Sequence, residues 1–229
     1  EIIVCENNFH GRTVTIISFS TEELYNRGFG PLTPGFTAVR YGDIDALERA
    51  ITDNTVAFLV EPIQGEAGIL MPPEGYLGQA RALCTERNVL LMADEIQTGF
   101  GRTGKMFCCD HEDVVPDVMI LGKALGGGVL PVSAIAATEE VMSVFFPGSH
   151  GSTFGGNPLA AAVGVAALDA LVEENLVGRS EDQGAYLIEQ LRALESPHIH
   201  EVRGRGLLVG VELRAESGVA RPFCEQLMS

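Results

Sequence analysis

The 229 residues are 46% hydrophobic and 20% charged, a balance that excludes an intrinsically disordered chain and leaves room for one large domain or one and a half ordinary ones. Fifteen Lys and Arg stand against 31 Asp and Glu, and the net charge of −16 repels a phosphate backbone and an anionic membrane surface. No apolar run approaches the ~18 residues that span a bilayer, and the start has neither a basic n-region nor a cleavage site, so the expected location is cytoplasmic.

Short β-rich runs bounded by Gly, Pro and Asp predict strands over residues 2–5, 14–18, 38–41, 56–60, 89–93, 118–121 and 133–137. Longer segments of helical period lie between and after them, over 44–51, 76–87 and 158–174, the last with Asn157 as N-cap and Pro158 at its first position. Alternation of this kind predicts an α/β fold with a largely parallel sheet. The run Val56-Ala57-Phe58-Leu59-Val60 is apolar on both faces, as a strand covered by helices on each side must be. After Glu174 the composition turns charged: an amphipathic helix over 184–194, a strand over 207–213, then a helix opening at 221–229. We therefore expect a large domain over 1–175, incomplete at its N-terminus, and the start of a smaller one over 176–229. A start inside a strand and an end inside a helix suggest a fragment of a longer protein.

The five cysteines are scattered without C-x-x-C spacing and are expected to be reduced, small buried hydrophobes. Lys105 and Lys123 are the sole lysines beside 13 arginines, so chemistry that needs an amine nucleophile has two candidates. In an open parallel sheet, ligands sit outside the carboxyl ends of the strands. The polar residues that follow the predicted strands are Glu61 to Glu66, Asp94 to Gln97, and Lys123 ahead of three glycines. Lys123 is expected in a partly desolvated cleft, which favours the neutral amine of imine formation; the alternative is a lysine that snorkels to the surface. Asp94 has two readings as well, a partner for a protonated heterocyclic nitrogen or a helix cap.

These residues fall in five ordered motifs: Asn8-Phe9-His10-Gly11-Arg12-Thr13, VEPIQGEAG over 60–68, ADEIQTGFGRTG over 93–104, LGKALGGG over 121–128 and HGSTFGGNPLA over 150–160. In these the chain resembles the class III, ornithine-type, aminotransferases that depend on pyridoxal 5'-phosphate (PLP). The resemblance implies PLP-dependent transferase fold type I, with helices on both faces of a mostly parallel sheet. It implies that Lys123 carries the cofactor as a Schiff base and later shuttles a proton, and that Asp94 pairs with the pyridine nitrogen. Gln97 would meet the ring hydroxyl and Phe9 would stack on the ring. Ser152 and Thr153 would reach the phosphate of a neighbouring subunit, which makes a homodimer the smallest complete unit. Arg12, Glu61 and Glu66 form the implied substrate-facing set, Arg12 by bidentate contact with a carboxylate. The implied reaction moves the δ-amino group of L-ornithine to 2-oxoglutarate, giving glutamate 5-semialdehyde and glutamate. An acetylornithine or 4-aminobutyrate donor, or a truncated chain without turnover, are the alternatives. The Gly-rich phosphate-binding turn and the end of the small domain that belong to this pattern are absent from these residues.

Three competing motifs are weaker. Residues 99–106 nearly spell a P-loop, but Met106 has no hydroxyl for Mg²⁺ and the strand ends five residues too early. Residues 204–210 hint at a dinucleotide turn yet lead into a strand. Asp110, His111, Glu112 and Asp113 lack a second His at helical spacing and are expected as a solvated acidic loop, with no metal.

Overall fold

The computed structural model describes residues 1–228. In chain order the elements are strand β1 (Ile2–Cys5), the single-turn helices α1 (Val14–Ile17) and α2 (Glu23–Asn26), β2 (Phe36–Val39), α3 (Ile44–Ala50), β3 (Ala57–Val60), α4 (Tyr76–Glu86) and β4 (Leu90–Asp94). They continue with β5 (Val118–Leu121), β6 (Ala134–Ala137), α5 (Glu139–Met142), α6 (Pro158–Glu173), α7 (Leu176–Ala193), β7 (Ile199–Arg205), β8 (Leu208–Leu213) and α8 (Arg221–Leu227). One sheet runs β2-β1-β3-β4-β5-β6, parallel except for β6, and a separate antiparallel hairpin pairs β7 with β8.

The period of two along each strand sorts the core. Ile3, Cys5, Phe58, Val60, Leu91 and Ala93 face α3 and α4, where they meet Leu47, Tyr76, Leu77, Ala80, Leu83 and Cys84. The helical residues recur at i, i+1, i+4, i+7 and i+8, one stripe of α4. Val4, Leu59 and Met92 point to the other face, against Ile16, Phe19 and Phe36. A third cluster joins Phe100, Leu121 and Leu125 to Leu168 and Leu171 of α6. Each fully buried Phe or Leu contributes roughly 1.5–3 kcal/mol by leaving water. Asn157 caps α6 by accepting from Ala160 N–H at 2.9 Å, with Pro158 at the first turn, as expected.

Four expectations are corrected. Residues 14–18 form a helical turn instead of a strand: Ile17 is buried while Val14 is exposed, and Ser18 Oγ donates to Val14 O at 2.6 Å, so burial on one side outweighs β-branched propensity. The strand expected over 38–41 slips to 36–39, because Tyr41 leaves the ladder to donate its hydroxyl to Glu61 O and Pro62 O. The amphipathic helix begins eight residues earlier than expected, at Leu176, after Asn175 in left-handed conformation. His111 and Glu112 lie in a half-buried 3-10 turn, where His111 Nε2 meets Thr103 O at 3.0 Å and Glu112 accepts from Gly78 N–H at 2.9 Å. Among the described residues no three acidic, His or Cys side chains cluster to hold a metal.

The two near-motifs have a packing use. A Cβ on Gly206 would lie 2.5 Å from Thr103 C, and one on Gly184 would lie 2.0 Å from Gly206 O. These glycines bring α7 and the hairpin against the loop at 99–107, and Leu207 N–H completes the contact on Arg102 O at 2.9 Å. Four of the five free cysteines are buried and Cys224 is exposed. Among the described residues no helix is long and apolar enough to cross a membrane.

Candidate active site

The strand order reverses between β1 and β3, since β1 leads to β2 on one side while β3, β4 and β5 follow on the other. A crevice outside the carboxyl ends at such a point is where open α/β sheets bind ligands. Past β1, the buried Asn8 donates to Cys5 O at 2.6 Å and Phe19 O at 3.1 Å, which closes the turn and sends the next residues across the sheet ends. Phe9 N–H then donates to Glu61 Oε2 at 3.1 Å beyond β3, and His10 Nδ1 lies 2.7 Å from Asp94 Oδ2 at the end of β4. Asp94 is 5% exposed and its other oxygen accepts from Ile96 N–H at 3.0 Å. Burial pushes the Glu61 carboxyl up to about 7, against the opposing pull of the hydrogen bond from Phe9 N–H.

Glu66 is exposed and accepts from Gln97 Nε2 at 3.3 Å. Gly65 permits that contact, because a Cβ there would sit 2.5 Å from Gln97 Oε1. A cavity of about 240 Å³ lies between Phe9, Tyr25 and Glu66. Phe9 meets Tyr25 edge-on at 5.6 Å, and the Arg12 guanidinium stands 4.2 Å from the Tyr25 centroid and 5.5 Å from that of Phe9. From the hairpin, Arg203 donates to Gly68 O and Ile69 O and fastens the turn that carries Glu66.

Lys123 follows β5 on the same rim. It is exposed, which corrects the expectation of a partly desolvated cleft, and it takes a left-handed φ of 43°. A non-glycine residue there costs on the order of 1–3 kcal/mol, a strain that is concentrated at functional sites. Gly122 before it packs on Ile96, beside Asp94. Ser152 and Thr153 lie in the exposed turn ahead of α6, where Ser152 Oγ accepts from Gly155 N–H at 2.9 Å.

Sequence reasoning assigned no role to His10, Tyr25 or Arg203. For His10 a usable signal exists, a histidine in the first turn beyond a rim strand, next to Phe9. Glu95, next to Asp94, points the other way: it is buried, accepts from Thr98 Oγ1 and from Cys109 N–H at 2.8 Å, and anchors the 3-10 turn.

The family model for class-III aminotransferases matches residues 1–229. The chain belongs to this family. Among its relatives, the ornithine aminotransferase of Brevibacillus brevis is 64% identical over 227 residues, 99% of this chain and 56% of that protein. A structure of ornithine aminotransferase from Toxoplasma gondii, described with partial occupancy of PLP at its active site, is 50% identical with a TM-score of 0.92, over 94% of this chain and 52% of that one. The acetylornithine aminotransferase of Elizabethkingia anophelis is also 50% identical, with a TM-score of 0.84, over 98% of this chain and 55% of that one. This class-III aminotransferase chain spans about half the length of the curated relatives it matches.

Proposed function

We propose that this chain carries the cofactor-binding part of a PLP-dependent ornithine δ-aminotransferase, transferring the δ-amino group of L-ornithine to 2-oxoglutarate. Residues 1–175 form the cofactor-binding unit and 176–229 the start of a smaller one. The observation that carries the reading is the Asp94 carboxylate, buried between His10 Nδ1 and the donating Ile96 N–H on the rim where strained Lys123 stands. The residues fit PLP in kind: an anion for a cationic ring nitrogen, an aromatic in Phe9, an amide in Gln97 and one amine. The high identity to proteins named ornithine aminotransferase supports the substrate.

When bound, PLP supplies a carbonyl carbon for amine attachment and an electron-withdrawing ring. Asp94 is placed to keep a proton on the ring nitrogen, since a carboxylate paired with a cationic N–H makes a charge-assisted hydrogen bond. The Lys123 amine takes the proton from the amine-bearing carbon of the substrate and returns it later, as a general base and acid. Arg12, now over Tyr25 and Phe9, turns its fork to a substrate carboxylate, with Glu61 and Glu66 setting the charge around it. Ser152 and Thr153, both exposed, serve the phosphate held by a second copy of the chain. The free cysteines fit a cytoplasmic location.

Borohydride reduction after incubation with PLP, followed by peptide mapping, should label Lys123. Lys105→Ala should keep the label and Lys123→Ala should lose it; a label on Lys105 alone, or none, refutes the assignment. Sedimentation should give the mass of a dimer, and a monomer at every concentration would remove the shared-site reading. The equal identity to an acetylornithine aminotransferase favours one second reading, that acetylornithine is the donor. Comparing the two amines as donors decides between them.

A further inference from the structure

His10 is the buried group on the rim that the reaction described above does not use. Its side chain is 3% exposed, its Nδ1 lies 2.7 Å from Asp94 Oδ2, and its Nε2 is buried without a hydrogen-bond partner. The ring leans against Phe19 with centroids 5.8 Å apart, and the titratable groups facing it are Asp94 and the Glu61 carboxyl.

Four protonation patterns are possible, and they differ in what they leave unpaired. An imidazolium would leave a buried cationic Nε2–H without an acceptor, a penalty larger than that of any neutral orphan. The Nε2–H tautomer would set a lone pair against a carboxylate oxygen and orphan a donor as well. A protonated Asp94 donating to a bare Nδ1 orphans the same donor. The Nδ1–H tautomer makes the short bond and leaves only an acceptor lone pair unused, and acceptors go unpaired in folded proteins more readily than donors.

We propose that His10 is a positioning residue: a neutral Nδ1–H imidazole that donates to Asp94 Oδ2 and fixes the rotation of the carboxylate. Because the imidazole is neutral, it orients Asp94 without cancelling its charge. With Ile96 N–H on Oδ1 and His10 Nδ1–H on Oδ2, the carboxylate is clamped from two sides, and its remaining lone pairs are left for a third donor. The purpose of this clamp rests on the reading of Asp94 as the partner of the ring nitrogen; the tautomer itself does not.

The test is a two-bond proton–nitrogen NMR spectrum of the chain carrying ¹⁵N-histidine, without added cofactor, with the His10 pattern identified by its loss in His10→Asn. The expected pattern is a proton-bearing Nδ1 and a bare Nε2, and in Asp94→Ala a shift to the Nε2–H form that free neutral histidine prefers. A protonated Nε2 in the parent chain overturns the proposal, as does a pattern that Asp94→Ala leaves unchanged. Should Asp94→Ala fail to fold, the parent spectrum and a second pair of variants decide. His10→Ala should weaken PLP binding by about 10-fold, the cost of losing a hydrogen bond to a charged group, while His10→Asn, whose amide can donate from near the Nδ1 position, should stay within about 3-fold. Equal loss in both would reduce His10 to a packing residue. Failure of the Lys123 label with a Nδ1–H spectrum would refute the cofactor reading and leave the dyad intact.

Discussion

The rim of the sheet has two halves that differ in how far water reaches them. On the side of β1, β3 and β4, the side chains of Glu61, Asp94 and His10 are buried and tied to one another's elements by direct hydrogen bonds. On the side of β5 and β6, Lys123, Ser152 and Thr153 are exposed, and so are Ile135, Phe145 and Phe146, which line an apolar cleft of about 690 Å³. The first half is closed by hydrogen bonds within the chain. The half that the proposed function assigns to substrate exchange and to a second copy of the chain stays open.

The largest effect should come from breaking the closed half. Phe58→Ala, at a fully buried position on β3, should cost about 3–5 kcal/mol in urea unfolding. A cost below about 1 kcal/mol would show that this half is not close-packed.

Next comes the pH response of Glu61, whose carboxyl ionises near 4.5 in the unfolded chain and near 7 in the fold. A raised acid binds more protons folded than unfolded, so its contribution is whole below pH 4.5 and is lost as pH rises from 4.5 to 7. The full shift corresponds to about 3 kcal/mol, and Glu61→Gln should flatten the decline of the unfolding midpoint across that window. Parallel profiles for the two proteins would contradict the burial assigned to Glu61.

The smallest effect belongs to the open half. Phe146→Ser should change monomer stability by no more than about 0.5 kcal/mol while weakening self-association. A loss above about 2 kcal/mol in the monomer would erase the distinction between the halves.

Much of this arrangement is legible along the chain. Apolar runs with a period of two and capped helical segments are local signals, and strands over 2–5 and 118–121 fall where their patterns place them. Because chemistry collects at the carboxyl ends of parallel strands, strand prediction alone carried Asp94, Gln97 and Lys123 to one rim. Helix starts are weaker signals: α7 begins at Leu176 because Ser180 and Gly184 are buried against the loop and turn they approach, contacts invisible in local hydropathy.

By itself, then, the sequence determined the alternation of elements, the cap at Asn157 and the identity of the rim residues, all of which depend on neighbours within a few positions. The tertiary structure decided which of two adjacent acids, Asp94 or Glu95, faces the site, that His10 meets Asp94 across 84 residues, and that Arg12 rests on Tyr25. It also turned residues 14–18 into a helix. The physical reason is shared by all four: each is settled by side chains that only the parallel sheet brings together, and their burial and hydrogen bonding outweigh the local preferences of the residues involved.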